Sequence, residues 1–145
     1  MLTCHDVADY FLALQDEDSG DTISNLKLQK LVYYAQGVYL ALYDKPLFAE
    51  RMEAWTHGPV VPDLYHRFKE YGSEAIPADQ HFNLEKFDSD SREILDEVNR
   101  VFGQYSGWKL RNMTHEEPPW VNVKEPAGVI SHESLKEYFK TIVTK

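Results

Sequence analysis

The chain has 145 residues, of which 43% are hydrophobic and 13% aromatic, a size and composition suited to one domain with one core. Its net charge of −9 argues against direct nucleic-acid binding, which needs Lys and Arg to neutralise phosphate. Cys4 stands alone, so no disulfide framework and no zinc site built on cysteine pairs is available, which fits a reducing cytoplasm.

In chain order, Thr3 and Asp6 have capping-box spacing, and Val7, Tyr10, Phe11 and Leu14 follow at helical intervals. The polar stretch from Asp16 to Asp21 is expected to be a surface loop. Ser24 is the expected N-cap of a second helix, with Ile23 and Leu28 at the positions of a hydrophobic staple. Leu28, Leu31, Val32, Ala35, Tyr39 and Leu42 form one face of it. Leu26, Tyr33, Tyr34, Val38 and Leu40 extend the apolar surface around most of the circumference. A helix from Ser24 to Tyr43 that is apolar nearly all round is a central one, buried by its neighbours.

Asp44 to Pro46 form a turn, and the alternation of Met52, Ala54 and Thr56 with Glu53, Trp55 and His57 suits a short strand. Pro62 fits the first position of a third helix and Gly72 its stop, with Leu64, Tyr65, Phe68 and Tyr71 facing inward. Ser73 to Phe87 reads as irregular, with a short strand at Phe82 to Phe87. A fourth helix begins near Asp88 to Asp90 and carries Ile94, Leu95, Val98, Val101, Phe102 and Tyr105. Ser106 caps a short fifth helix bearing Trp108, Leu110 and Met113. Pro126 and Gly128 mark a loop. Ser131 caps a last helix whose buried face is Leu135, Tyr138, Phe139, Ile142 and Val143. The expected fold is mainly α: a single compact helical domain over residues 1–145 around a central buried helix, with at most a small β element.

Most catalytic motifs are missing. There is no Gly-x-Ser-x-Gly elbow, no phosphate-cradling Gly-rich loop and no dinucleotide fingerprint. No pair of the six histidines has the i, i+4 spacing of a helical zinc site. Cys4 has no partner base in sequence, so it reads as a small apolar-like residue and not as a nucleophile. No apolar run approaches the roughly 18 residues of a membrane span, and the start of the chain lacks the basic and apolar segments of a secretory leader. No cofactor and no metal are expected, and the expected setting is cytoplasmic.

Two islands remain: Trp55-Thr56-His57-Gly58-Pro59 and Thr114-His115-Glu116-Glu117-Pro118-Pro119-Trp120. Each joins a Thr-His pair to proline and tryptophan, and proline keeps both out of a helix interior. Two readings are open. In the structural one, Thr114 and Glu117 form a capping box on a short turn that Pro118 and Pro119 stop. His115 then bonds carbonyls left open at the end of the preceding helix, and Trp55 and Trp120 plug the core with their indole N–H groups satisfied nearby. In the functional one, Trp55, His57, Tyr65, His115 and Trp120 form a patch that binds a partner, since large aromatics anchor such patches.

The run from Ile23 to Gly37, Ile-Ser-Asn-Leu-Lys-Leu-Gln-Lys-Leu-Val-Tyr-Tyr-Ala-Gln-Gly, resembles the signature helix of the SocA-like antitoxin family, also called the Panacea domain. Pro46-Leu47-Phe48, then Glu53 to Pro62, Leu64-Tyr65 and Tyr71-Gly72 follow in the family's order. Leu110, Met113 to Glu116 and Pro119-Trp120 match its C-terminal motif. The resemblance implies an antitoxin without catalysis that neutralises a cognate toxin encoded nearby by direct binding. In one branch of the family the antitoxin presents its toxin to the ClpXP protease, so a ClpXP-type protease is a further implied partner. Two alternatives stand beside it: a phage or mobile-element regulatory or scaffolding protein without a toxin, and a metal-dependent enzyme using His57 and His115.

Overall fold

The structure is a computed structural model and describes residues 1–15 and 22–143. The expected loop from Asp16 to Asp21 lies outside them. Helix α1 spans Cys4–Leu14, and its capping box is present: the Thr3 hydroxyl accepts from the Asp6 N–H, and the Asp6 carboxylate accepts from the Thr3 N–H. Helix α2 spans Asn25–Tyr43, with the Ser24 hydroxyl accepting from the Lys27 N–H. It is the spine that its apolar circumference predicts. Helices α1, α3, α4, α5 and α7 and strand β2 all pack on it.

Strands β1 (Met52–Trp55) and β2 (Gly58–Val60) form a hairpin, and β3 (Val129–Ile130) pairs with the other edge of β1. Both pairings are antiparallel, with Trp55 opposite Gly58 and Met52 opposite Ile130. The expected strand therefore ends at Trp55, and Thr56 and His57 are the two-residue turn. Helix α3 (Pro62–Phe68) starts on its proline and runs into a 3-10 turn at Lys69–Tyr71 that Gly72 ends. Helices α4 (Ser89–Phe102), α5 (Gly107–Thr114) and α7 (His132–Lys140) are capped by Asp88, Ser106 and Ser131, each side chain accepting a backbone N–H three residues on. Helix α6 (Pro118–Val121) is a single turn.

Four expectations are corrected. Phe82 to Phe87 is no strand: Leu84–Lys86 make a 3-10 turn, and the rings of Phe82 and Phe87 lie edge-on to Tyr10 at 6.0 and 4.9 Å. Among the described residues no strand pairs with this segment, and its two rings pack on Tyr10 instead. Pro118 and Pro119 begin a helix and do not stop one, because the first helical position has no use for the missing N–H. Leu14 and Tyr71, expected inside, are exposed. Helix α7 ends at Lys140, which leaves Ile142 half in solvent instead of on the buried face.

The core is richest where α2 meets α7. Phe139 is fully buried, with its ring 5.5 Å from Tyr33 and 5.9 Å from Tyr34, both edge-on, and Tyr34 stacks on Phe102 at 3.8 Å. Burying one such ring contributes about 1.5–3 kcal/mol. Gly37 makes the close approach of the two helices possible: a Cβ there would lie 2.2 Å from two Phe139 ring carbons.

Candidate functional site

A helix buried on all sides still carries polar residues, and α2 spends them on holding the hairpin. The Gln29 side chain accepts from the Val61 N–H (2.9 Å) and donates to Asn25 (3.1 Å), which in turn donates to the Tyr65 carbonyl (3.4 Å). About two turns from the end of the helix, Gln36 substitutes for a strand partner, donating to the Phe48 carbonyl and accepting from the Leu47 N–H. Lys30 has no exposed surface, and its ammonium donates to the Pro59 carbonyl at 3.1 Å. Among the described residues it has no carboxylate partner. Burial, with a smaller contribution from Arg111, pulls its pKa down to about 7. Gly58 sits at φ +109 directly over Lys30, where a Cβ would lie 2.7 Å from both the lysine Cε and the Thr114 hydroxyl. Only glycine suits that backbone and that spacing.

Above this polar floor stands an aromatic wall. The Trp120 indole donates to the Trp55 carbonyl at 2.8 Å, tying together the two islands 65 residues apart. The Trp55 indole donates to Glu53 at 2.9 Å, and Arg51 holds the same carboxylate at 2.7 Å. Tyr65 lies edge-on to Trp55 with ring centroids 5.0 Å apart, and His115 stacks on Trp120 at 4.0 Å and 9°. Both indoles are satisfied as expected, but both are half-buried, so they form a wall and not a core plug.

Trp55, His57, Tyr65 and Trp120 line one cleft of about 840 Å³, with Lys30 and Gln29 on its floor and the loop from Val123 to Ala127 along one side. His115 stands behind Trp120, outside the cleft lining. The structure therefore gathers all five candidate residues into one region. The His115 ring bonds the Thr56 backbone and not the end of α5, and its Nε2 is buried without a hydrogen-bond partner among the described residues. Burial first, and then the charges of Arg111, Lys30 and His57, lower its pKa. Arg111 also approaches His57 at 3.4 Å and lies over the Trp108 ring at 4.8 Å.

Thr114 and Glu117 do not form the expected capping box. The Thr114 hydroxyl donates to the Arg111 carbonyl at 2.8 Å, as the last residue of α5. Glu117 turns inward and accepts from the hydroxyls of Tyr33 (2.8 Å) and Tyr34 (2.9 Å). Burial raises its pKa, and its hydrogen bonds to Tyr33, Tyr34 and Tyr138 partly offset that. Lys30 and Gln29 are residues that sequence reasoning passed over, and Glu117 is one that it assigned to a capping box. The signal was present: if apolar residues surround α2, its polar residues are buried too and need internal partners.

No group of three or more His, Cys, Asp or Glu side chains converges among the described residues in a way that could hold a metal. No helix among them is long and apolar enough to cross a membrane. The arrangement offers aromatic area, a basic floor and hydrogen-bonding backbone, the means of a binding surface.

Comparison with known proteins bears on what would bind. A family model described as Antitoxin SocA-like, Panacea domain, matches residues 28–121, from α2 to the end of α6. Antitoxin SocA of Caulobacter vibrioides (strain NA1000 / CB15N) is 35% identical over 109 residues, 68% of this chain and 58% of that protein. The chain thus spans under two thirds of the length of this curated relative. No solved structure matches. The matched segment contains the spine helix, the hairpin and both islands, and this chain belongs to the SocA-like antitoxin (Panacea domain) family.

Proposed function

We propose that this protein is an antitoxin that neutralises a cognate toxin by direct protein–protein binding, without catalysis, in the cytoplasm. The observation that carries the reading is the 35% identity to Antitoxin SocA over 109 residues, beside the family match over residues 28–121. Residues 1–145 act as one unit: α1 and α7 lie outside the family match yet pack on α2. The face used is the patch of Trp55, His57, Tyr65, His115 and Trp120. A stable complex would bury roughly 1,200–2,000 Å² in total, more than the cleft alone supplies, so the contact extends onto its rim. The net charge of −9 favours encounter with a basic toxin. Delivery of the captured toxin to a ClpXP-type protease belongs to the same reading.

Co-expression tests it. The product of an adjacent gene should arrest growth alone and be tolerated when this chain is present. If no neighbouring product is both toxic and rescued, the reading fails. Toxin half-life in cells lacking the ClpX unfoldase separates delivery from masking: an unchanged half-life rejects delivery and leaves binding intact.

A further inference from the structure

The cleft contradicts the charge of the molecule that holds it. Acidic side chains outnumber Lys and Arg by 24 to 15 in the chain, yet Lys30, Lys69, Lys124 and His57 line the cleft and, among the described residues, Glu125 is its sole carboxylate. Lys30 is the unusual member. It is fully buried beneath the hairpin, has one carbonyl partner and, among the described residues, no counter-ion. A buried ammonium without an anion is costly, and the interior magnifies its attraction for any carboxylate brought near. Arg111 adds to the same field, since its charge acts on both Lys30 and His115. Lys69 and Lys124 are exposed at the rim, while Trp55, Tyr65 and Trp120 between them offer half-buried apolar area.

We infer that the cleft receives an acidic segment of the partner protein, whose aromatic or aliphatic side chains lie against Trp55, Tyr65 and Trp120 and whose Asp or Glu sits over the hairpin that covers Lys30. This rests on the reading of the chain as a toxin-binding protein and deepens it, because it names the chemistry of the segment bound. Lys69 and Lys124 guide the segment in, and Lys30 acts from below as the buried cation that an incoming carboxylate stabilises in its charged form. The acidic outer surface and the basic cleft serve different parts of one partner: the surface attracts a basic body, and the cleft selects the acidic segment that it carries.

The test uses a phage-displayed library of random short peptides, selected on the whole protein. The expected result is a consensus with Asp or Glu beside aromatic or aliphatic residues. A synthetic consensus peptide should lose about tenfold or more in affinity when its carboxylate is changed to the amide. It should lose a similar factor against Lys30→Met and against the Lys69→Glu, Lys124→Glu pair. The rim pair is on the surface, so it keeps the test decisive if Lys30→Met does not fold. Absence of a consensus, a consensus without an acid, or binding indifferent to both sets of substitutions overturns the inference. Inorganic phosphate that shifts the Trp55 and Trp120 resonances while no peptide is selected also overturns it, since that is an anion site without a segment groove. Rescue from a toxin with no acidic consensus keeps the antitoxin reading and rejects the cleft. An acidic consensus in the cleft with no toxin rescued does the reverse.

Discussion

Replacing Gly37 by Ala sets two effects of known sign against each other. In a helix interior Ala is favoured over Gly by about 1 kcal/mol. Against this, the new methyl would lie 2.2 Å from Cδ2 and Cε2 of Phe139, where ordinary contact is 3.4–4 Å, so the ring must retreat by more than 1 Å. It has little room. Phe139 is fully buried, with Tyr33 at 5.5 Å, Tyr34 at 5.9 Å and Tyr138 at 5.0 Å around it. Overpacking of this kind costs about 1–3 kcal/mol, and an overlap this large belongs at the upper end. The expected net effect of Gly37→Ala is a loss of about 2 kcal/mol, a fall in Tm of roughly 4–8 °C. Thermal unfolding followed by circular dichroism reads it directly. Phe139→Leu trims the ring, and in that background Gly37→Ala should cost nothing or stabilise slightly. An unchanged Tm for Gly37→Ala alone, or an equal loss in both backgrounds, would refute the account of α2–α7 packing.

Three further outcomes are expected. The Lys30 ammonium titrates near 7 when folded against the ordinary 10.5, so between these values the unfolded chain binds more protons and stability rises with pH. The gap in unfolding free energy between wild type and Lys30→Met should therefore shift in favour of wild type from pH 7 to pH 9, and a flat difference in urea titrations would show that Lys30 is not desolvated. Cys4 is fully buried and its thiol is pushed up to about 12, first by burial and then by Glu50. Ellman's reagent should leave it untouched at neutral pH until denaturant is added; rapid reaction in the native protein would contradict that burial. Trp120→Phe removes the donor to the Trp55 carbonyl and should cost about 1 kcal/mol. Chemical denaturation measures that cost, and a variant as stable as wild type would mean that the two islands are not tied through this bond.

Helix starts were legible because capping is local chemistry. Thr3, Ser24, Asp88, Ser106 and Ser131 each accept the N–H that their sequence position implies. The centrality of α2 followed from an apolar circumference that leaves no face for water. What failed depended on distant partners. A strand at Phe82 to Phe87 needs an edge to pair with, and none lies there among the described residues; β3 needs β1, far away in sequence. The islands were recognisable as a pair, and their five candidate residues do gather in one region. The floor beneath them was signalled only by polar residues on a helix apolar nearly all round, and its partners became visible once the Gly58 hairpin was placed over Lys30. Glu117 fitted a capping-box spacing by coincidence. The Tyr33 and Tyr34 hydroxyls that claim it are more than 80 residues away.

The seating of Phe139 against Gly37 also sets an order of events. Synthesis delivers α2 well before α7, and domains generally fold as units. Until residues 132–140 emerge, Tyr33, Tyr34 and the bare backbone at Gly37 lack the Phe139 ring that packs on them. A chain lacking α7 thus leaves Tyr33, Tyr34 and the Gly37 backbone without the ring that packs on them.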